Sequence, residues 1–140
     1  MNATYWGVLY LPYTKNQQIW ACPSAKDPAV KTVSYGLSGY MDGGSFSAPW
    51  NPGVSDAAVE DASGTILAHD SWETRLENNG DMLCVSNGYT ENLMQSNDIR
   101  YKTEAWRHSD TCNVLYFDGH VKSLSKSPSY PLSLYTPQAD

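Results

Sequence analysis

Hydrophobic and polar positions alternate along short stretches of this chain, and no stretch holds a helical period for long. Val30–Gly39 (VKTVSYGLSG) alternates well enough for a strand. Gly64–Asp70 (GTILAHD) reads as a buried strand that ends in polar residues. Gln18–Ala21 and Met82–Val85 predict two further short strands, the first stopped by Cys22-Pro23-Ser24. Pro12 suits an early helical position, and Tyr13–Asn16 a single turn of helix. Ser55 is placed to cap a short helical turn within Ser55–Asp61. Tyr89–Arg100 has weak helical character. Met41–Gly53 and Glu73–Gly88 read as loops, the second with a strong turn signal at Asn78-Asn79-Gly80.

The clearest local signal is Asp118-Gly119 between two apolar runs, which predicts a β-hairpin. A two-residue loop would pair Phe117 with His120, Tyr116 with Val121, Leu115 with Lys122 and Val114 with Ser123. Both faces of that hairpin would be largely apolar, so each needs a cover. Arg107-His108 precede the hairpin, separated from it by a turn at Ser109-Asp110-Thr111. His108 is then expected to tether the segment by bonding Asp118 or a turn backbone group.

Composition narrows the function. Charged residues are 17% and hydrophobic residues 41%, which disfavours a disordered solvating chain. Ten tyrosines and five tryptophans stand against two phenylalanines, so much of the apolar mass carries a polar handle. The net charge is −6, and the nine lysines and arginines are scattered, leaving no basic stripe for nucleic acid. No apolar run approaches the roughly 18 residues of a membrane span. No N-terminal signal is visible: either the protein is cytosolic or its targeting segment lies outside this chain. Cys22, Cys84 and Cys112 have neither a CxxC pair nor zinc-finger spacing.

The segment RHSDTCNVLYFDGHV, Arg107–Val121, resembles the signature of a bacterial prepilin-type, pseudopilin-like family named for a His-X(9)-Asp-Gly motif. Arg107, His108, Asn113, Val114, Leu115, Asp118, Gly119, His120 and Val121 all fit its pattern. Leu11–Ser24 (LPYTKNQQIWACPS) with the later Ser34-Tyr35-Gly36, and Ala62–Asp70 (ASGTILAHD), are similar to two further family stretches in the family order, with Ala62 where the family has proline. The resemblance implies an α+β fold: a pilin-like head at 1–124 with a small antiparallel sheet, a C-terminal hairpin and long irregular loops. A Pro/Ser-rich tail at 125–140 would wander over the surface or be disordered. It also implies an N-terminal membrane-anchoring helix, not found in this sequence, which would cover one face of the sheet. The implied setting is extracellular, cell-surface or periplasmic, and the implied partners are other pilin or pseudopilin subunits of a filament or a type II secretion-like pseudopilus. Cys22 would pair with a cysteine outside this chain, leaving Cys84 to pair with Cys112.

Under that reading the chain is not an enzyme, and His108, Asn113, Asp118, Gly119 and His120 form a structural motif. A nucleophilic set can be drawn from Cys112, His108 and either Asp118 or Asp70, but no oxyanion hole or pocket goes with it. No metal or other cofactor is expected; the weak candidates are His108, Asp118, His120 and Asp70, joined at longer reach by His69 and Asp110. Calcium would want six to eight oxygens, and no Asp-x-Asp-x-Asp loop is present. The alternative function is an extracellular module that binds glycans or surfaces through exposed aromatics, with Trp50 in SAPWNPG as the leading contact.

Overall fold

The computed structural model describes residues 6–27, 33–38, 55–76, 83, 99–126 and 130–135. These residues build a small sheet with few helices. Its strands are β1 (Tyr35–Ser38), β2 (Ile66–Asp70), β3 (Arg75–Leu76), β4 (Thr111–Tyr116) and β5 (Val121–Ser125), in the spatial order β3-β1-β2-β4-β5. β1, β2, β4 and β5 run antiparallel to their neighbours, and the two-residue β3 adds parallel to β1 at the edge. Two α-helices are present among the described residues, α1 (Leu11–Thr14) and α2 (Ile99–Ala105), besides short 3-10 turns. Strands are found within the expected stretches 30–39 and 64–70, and the hairpin forms with both strands shifted, to Thr111–Tyr116 and Val121–Ser125. The loop at 41–53 lies outside the described residues, as does the Met82–Val85 strand apart from Leu83.

One face of the sheet carries the main core. Ile66 and Leu76 join Cys112, Val114 and Tyr116 of β4, together with Leu83, Ala105, Trp106 and Tyr135. Every second residue of β4 is buried, as a strand with one core face requires. The turn after α2 uses left-handed backbone at Ser109 and Asp110 (φ 56° and 60°), which reverses the chain into β4. Thr111 fastens that turn, its N–H and its hydroxyl both donating to His108 O at 3.1 and 2.7 Å. At the opposite edge, β3 packs so tightly on β1 that a methyl on Gly36 would sit 2.9 Å from Glu73 O and run into Leu76.

Besides the stretch 73–88, expected to be a loop but holding strand β3 at Arg75–Leu76, three sequence expectations are corrected. Gln18–Trp20 is a 3-10 turn, not a strand. Asn16 Oδ1 accepts from Gln18 N at 2.8 Å, and Trp20 N and Ala21 N donate back to Gln17 O and Gln18 O, so local bonds outcompete a ladder. The C-terminal segment is not all surface where it is described, at residues 130–135. Leu132–Tyr135 forms a 3-10 turn whose Tyr135 is fully buried, its phenol oxygen accepting from Leu83 N at 3.0 Å.

The third correction concerns the hairpin register, which is one residue away from expectation. Leu115 pairs with Val121, Val114 with Lys122 and Cys112 with Leu124. The loop therefore holds three residues, Phe117-Asp118-Gly119, closed by Tyr116 N to His120 O at 2.9 Å and Gly119 N to Tyr116 O at 3.0 Å. Gly119 has φ +91°, and Asp118 has no positive φ, as a three-residue loop ending in one left-handed residue requires. The cause is tertiary: Phe117 N and Asp118 N donate to Thr65 O and Ala62 O of the turn before β2, which draws them out of the hairpin ladder. A one-residue slip exchanges the faces of β5. Leu124 turns to the core, and Val121 turns outward, 65% exposed.

Candidate functional site: a buried charge cluster at one end of the sheet

The signature residues divide between the two ends of β4. Asp118 and His120 sit at the hairpin tip. There Asp118 Oδ1 accepts from His120 N at 3.0 Å and from His120 Nδ1 at 2.6 Å. Those bonds hold the exposed Asp118 carboxyl below the usual carboxylate range. The His120 ring stacks on Tyr116, centroids 4.4 Å apart and 3° from parallel. Asn113, midway along β4, accepts from Ser123 Oγ at 2.6 Å across the hairpin. His108 lies at the other end of β4, so the expected His108–Asp118 tether is not formed. Its ring nitrogen Nε2 instead lies 3.5 Å from Asp70 Oδ2 and 3.5 Å from Cys22 Sγ.

Asp70 is the centre of this second end. It ends β2, and its carboxylate is fully buried. Arg107 Nη2 donates to Asp70 Oδ1 at 2.5 Å, and Asn113 N donates to Asp70 Oδ2 at 2.7 Å. The same guanidinium, also fully buried, donates to Ser34 O at 2.5 Å and Glu104 O at 2.8 Å. Glu104, one helical turn before Arg107, is buried as well, and its Oε1 accepts from Lys26 N and Asp27 N at 3.0 and 2.8 Å. Ser34 Oγ completes the set by accepting from Cys22 N at 2.8 Å. One arginine thus ties β2, α2, the residue before β1 and, through Glu104, the 22–27 segment. Burial pushes the Asp70 carboxyl upward, opposed by Arg107, the Asn113 N–H and His108.

Beside this cluster, His69 points to the core face. Its Nδ1–H donates to Asp70 O at 2.7 Å, its ring meets the Tyr135 ring edge-on at 6.0 Å, and its Nε2 has no hydrogen-bond partner. Burial, opposed by the bond to Asp70 O and aided by Arg107, pulls its pKa down to about 4. His69 is therefore neutral at pH 7.

The arrangement lacks the geometry of a nucleophilic triad. Cys112 directs its thiol to Asp70 O at 3.8 Å, and burial, with the Asp70 charge second, pushes that thiol well above the ordinary range. The thiol beside His108 belongs to Cys22. Both Cys22 Sγ and Asp70 Oδ2 approach the same ring nitrogen, whereas a triad uses one nitrogen for the nucleophile and the other for the orienting carboxylate. Among the described residues, no group of three or more His, Cys, Asp or Glu is placed to hold a metal ion. A cation beside Asp70 would also meet the Arg107 guanidinium. Cys22 and Cys112 are both free thiols and buried. Cys84 itself, like Trp50, lies outside the described residues.

Sequence reading missed Arg107 and Glu104 as buried charges. The available signals were their i, i+3 spacing and the position of Arg107 directly before His108. Comparison with known proteins yields no match: no family model fits the chain, and no curated protein or solved structure matches it. No helix among the described residues is long and apolar enough to cross a membrane.

Proposed function

We propose that the chain is the head domain of a pilin-like or pseudopilin-like subunit, which acts by assembly into an extracellular or periplasm-facing filament rather than by turnover. The observation that carries this reading is a continuous apolar row on the outer face of the sheet. Leu37 pairs with Ala68, Ala68 with Leu115 and Leu115 with Val121, so one side-chain row crosses four strands without a polar residue. Leu37 and Leu115 are partly exposed and Val121 is largely so, while Ala68 between them is already buried. A row of this kind fits a helix laid across the sheet, as in pilin subunits, and covering it would remove apolar surface from water at roughly 25 cal/mol per Å².

Two further features support the reading. The charge cluster and the hairpin tip brace both ends of β4, which gives the signature residues structural work. The Arg107–Val121 segment also retains the spacing of the prepilin-type signature. The test is immunogold electron microscopy on producing cells with an antibody raised against this domain, combined with immunoblotting of the sheared cell-surface fraction. Label along filaments and signal in the sheared fraction are expected. Signal confined to the cytosol as a monomer would overturn the assignment.

A further inference from the structure

The N-terminal segment presents a second surface, on residues that neither the charge cluster nor the hairpin uses. Trp6, Tyr10 and Trp20 form a mutually contacting aromatic set. Trp6 and Trp20 meet edge to face at 5.3 Å, Trp6 and Tyr10 at 6.1 Å, and Tyr10 and Trp20 lie tilted at 6.4 Å. Trp20 is buried, so it anchors the set to the domain, while Tyr10 remains 51% exposed on top of it. Tyr13, three residues on and thus on the same side of the helical turn, is 84% exposed, and Ile19 is 48% exposed. These are three of the five exposed large hydrophobic residues among those described. The turn that displays them is held by the left-handed Lys15 cap, whose N–H donates to Leu11 O at 2.9 Å, and by the Asn16–Gln18 bond.

The surroundings of these rings say what they fit. Asn16, Gln17 and Gln18 are all exposed, and Lys15 is the one charged residue between Trp6 and Ala25. Two phenol hydroxyls and three carboxamides offer donors and acceptors without net charge. A phosphate or carboxylate polymer would find one cation there on a chain of net charge −6. A neutral sugar polymer matches on both counts: its C–H faces stack on aromatic rings, and its hydroxyls need uncharged donors and acceptors together. Tyrosine also gives contact area with few rotatable bonds to freeze.

We propose that Tyr10 and Tyr13, flanked by Asn16, Gln17 and Gln18, form a binding surface for a neutral polysaccharide. The site is independent of the filament assignment. It also differs from the Trp50 loop that the sequence suggested.

Affinity electrophoresis of the purified protein tests it, with gels containing dextran, hydroxyethyl cellulose, galactomannan or, as the polyanion, alginate. At least one neutral polymer is expected to retard the wild type, with alginate giving no retardation. Tyr13→Ala is expected to raise the apparent Kd about tenfold, a ring-stacking contribution of ordinary size. Its circular dichroism and melting curve should match wild type, because the side chain lies in solvent. Tyr13→Phe should keep most of the retardation, since the ring is retained. No retardation by any of the three neutral polymers overturns the proposal. So does retardation unchanged in Tyr13→Ala, or alginate retarding as strongly as the neutral polymers. If Tyr13→Ala alters sedimentation without altering polysaccharide retardation, the surface is a protein interface and the proposal is wrong.

Discussion

Arg107→Met would remove the cation from a buried cluster while keeping most of the side-chain volume. In the wild type, Arg107 lies 2.5 Å from Asp70 Oδ1 and donates to Ser34 O and Glu104 O. Without it, two buried carboxylates, Asp70 and Glu104, lose their shared cation, and three backbone carbonyls, those of Ser34, Ser71 and Glu104, lose a donor. Removing one partner of a buried pair destabilises by about 3–5 kcal/mol, mainly through the charge left behind. The lost carbonyl bonds act in the same direction, though Ser34 O keeps Ser71 N as a donor at 3.1 Å, and these losses overlap rather than simply add. The expected loss is therefore about 4 kcal/mol, a large share of the roughly 7–20 kcal/mol typical of a domain this size.

Urea unfolding of wild type, Arg107→Met and Arg107→Met/Asp70→Leu measures it. The double variant should recover part of the loss, since it no longer buries the Asp70 charge. A pH series adds a second check. Without Arg107 the Asp70 carboxyl is raised further, so protonation relieves its burial, and the penalty of Arg107→Met should shrink between pH 7 and pH 4.5. A loss below about 1 kcal/mol, the level of an exposed ion pair, would refute the reasoning.

Three other outcomes follow from the same geometry. Gly119→Val should cost about 1–2 kcal/mol through its positive φ alone, because nothing lies within 4 Å of a new Cβ; urea unfolding checks it, and wild-type stability would contradict it. His69 is neutral in the fold with a pKa of about 4, against about 6.5 when unfolded, so the unfolded chain binds more protons between those values. The His69 contribution to stability should accordingly fall by about 3 kcal/mol as pH drops from 6.5 to 4, and His69→Gln should remove that part of the pH dependence of the melting temperature. Iodoacetamide at pH 7 should leave Cys112 unmodified in the native protein and modify it after urea unfolding, as read by peptide mass mapping, because its thiol is buried and raised.

The residues differ in how openly they declare their roles. β2 is legible because Ile66-Leu67-Ala68 is an apolar run bounded by polar residues, and the hairpin because Asp118-Gly119 sits between apolar segments. Its register was not legible, since it depends on Phe117 N and Asp118 N bonding to Thr65 O and Ala62 O, some fifty residues away in sequence. The tail reads as polar and proline-rich, yet Tyr135 fills the core and receives Leu83 N, a partnership that no local pattern announces. Arg107 and Glu104 look like solvent-facing helix charges. Only the fold, which brings Asp70, Ser34 and the 26–27 backbone to them, turns them into the interior of the cluster. The His108 motif marks the end of β4 but not the partner of the ring, which meets Asp70 and Cys22 because β4 carries Asp118 away from it.

The claim that this domain seats a helix on its outer apolar row and works by assembly is tested most directly by Val121→Glu. The side chain is 65% exposed, so the melting temperature of the isolated domain should stay within about 2 °C of wild type. In producing cells, the amount of protein in the sheared filament fraction should fall at least about tenfold, as expected when a charge enters a buried apolar contact. Filament content equal to wild type, with the glutamate in place and the domain folded, would contradict the account.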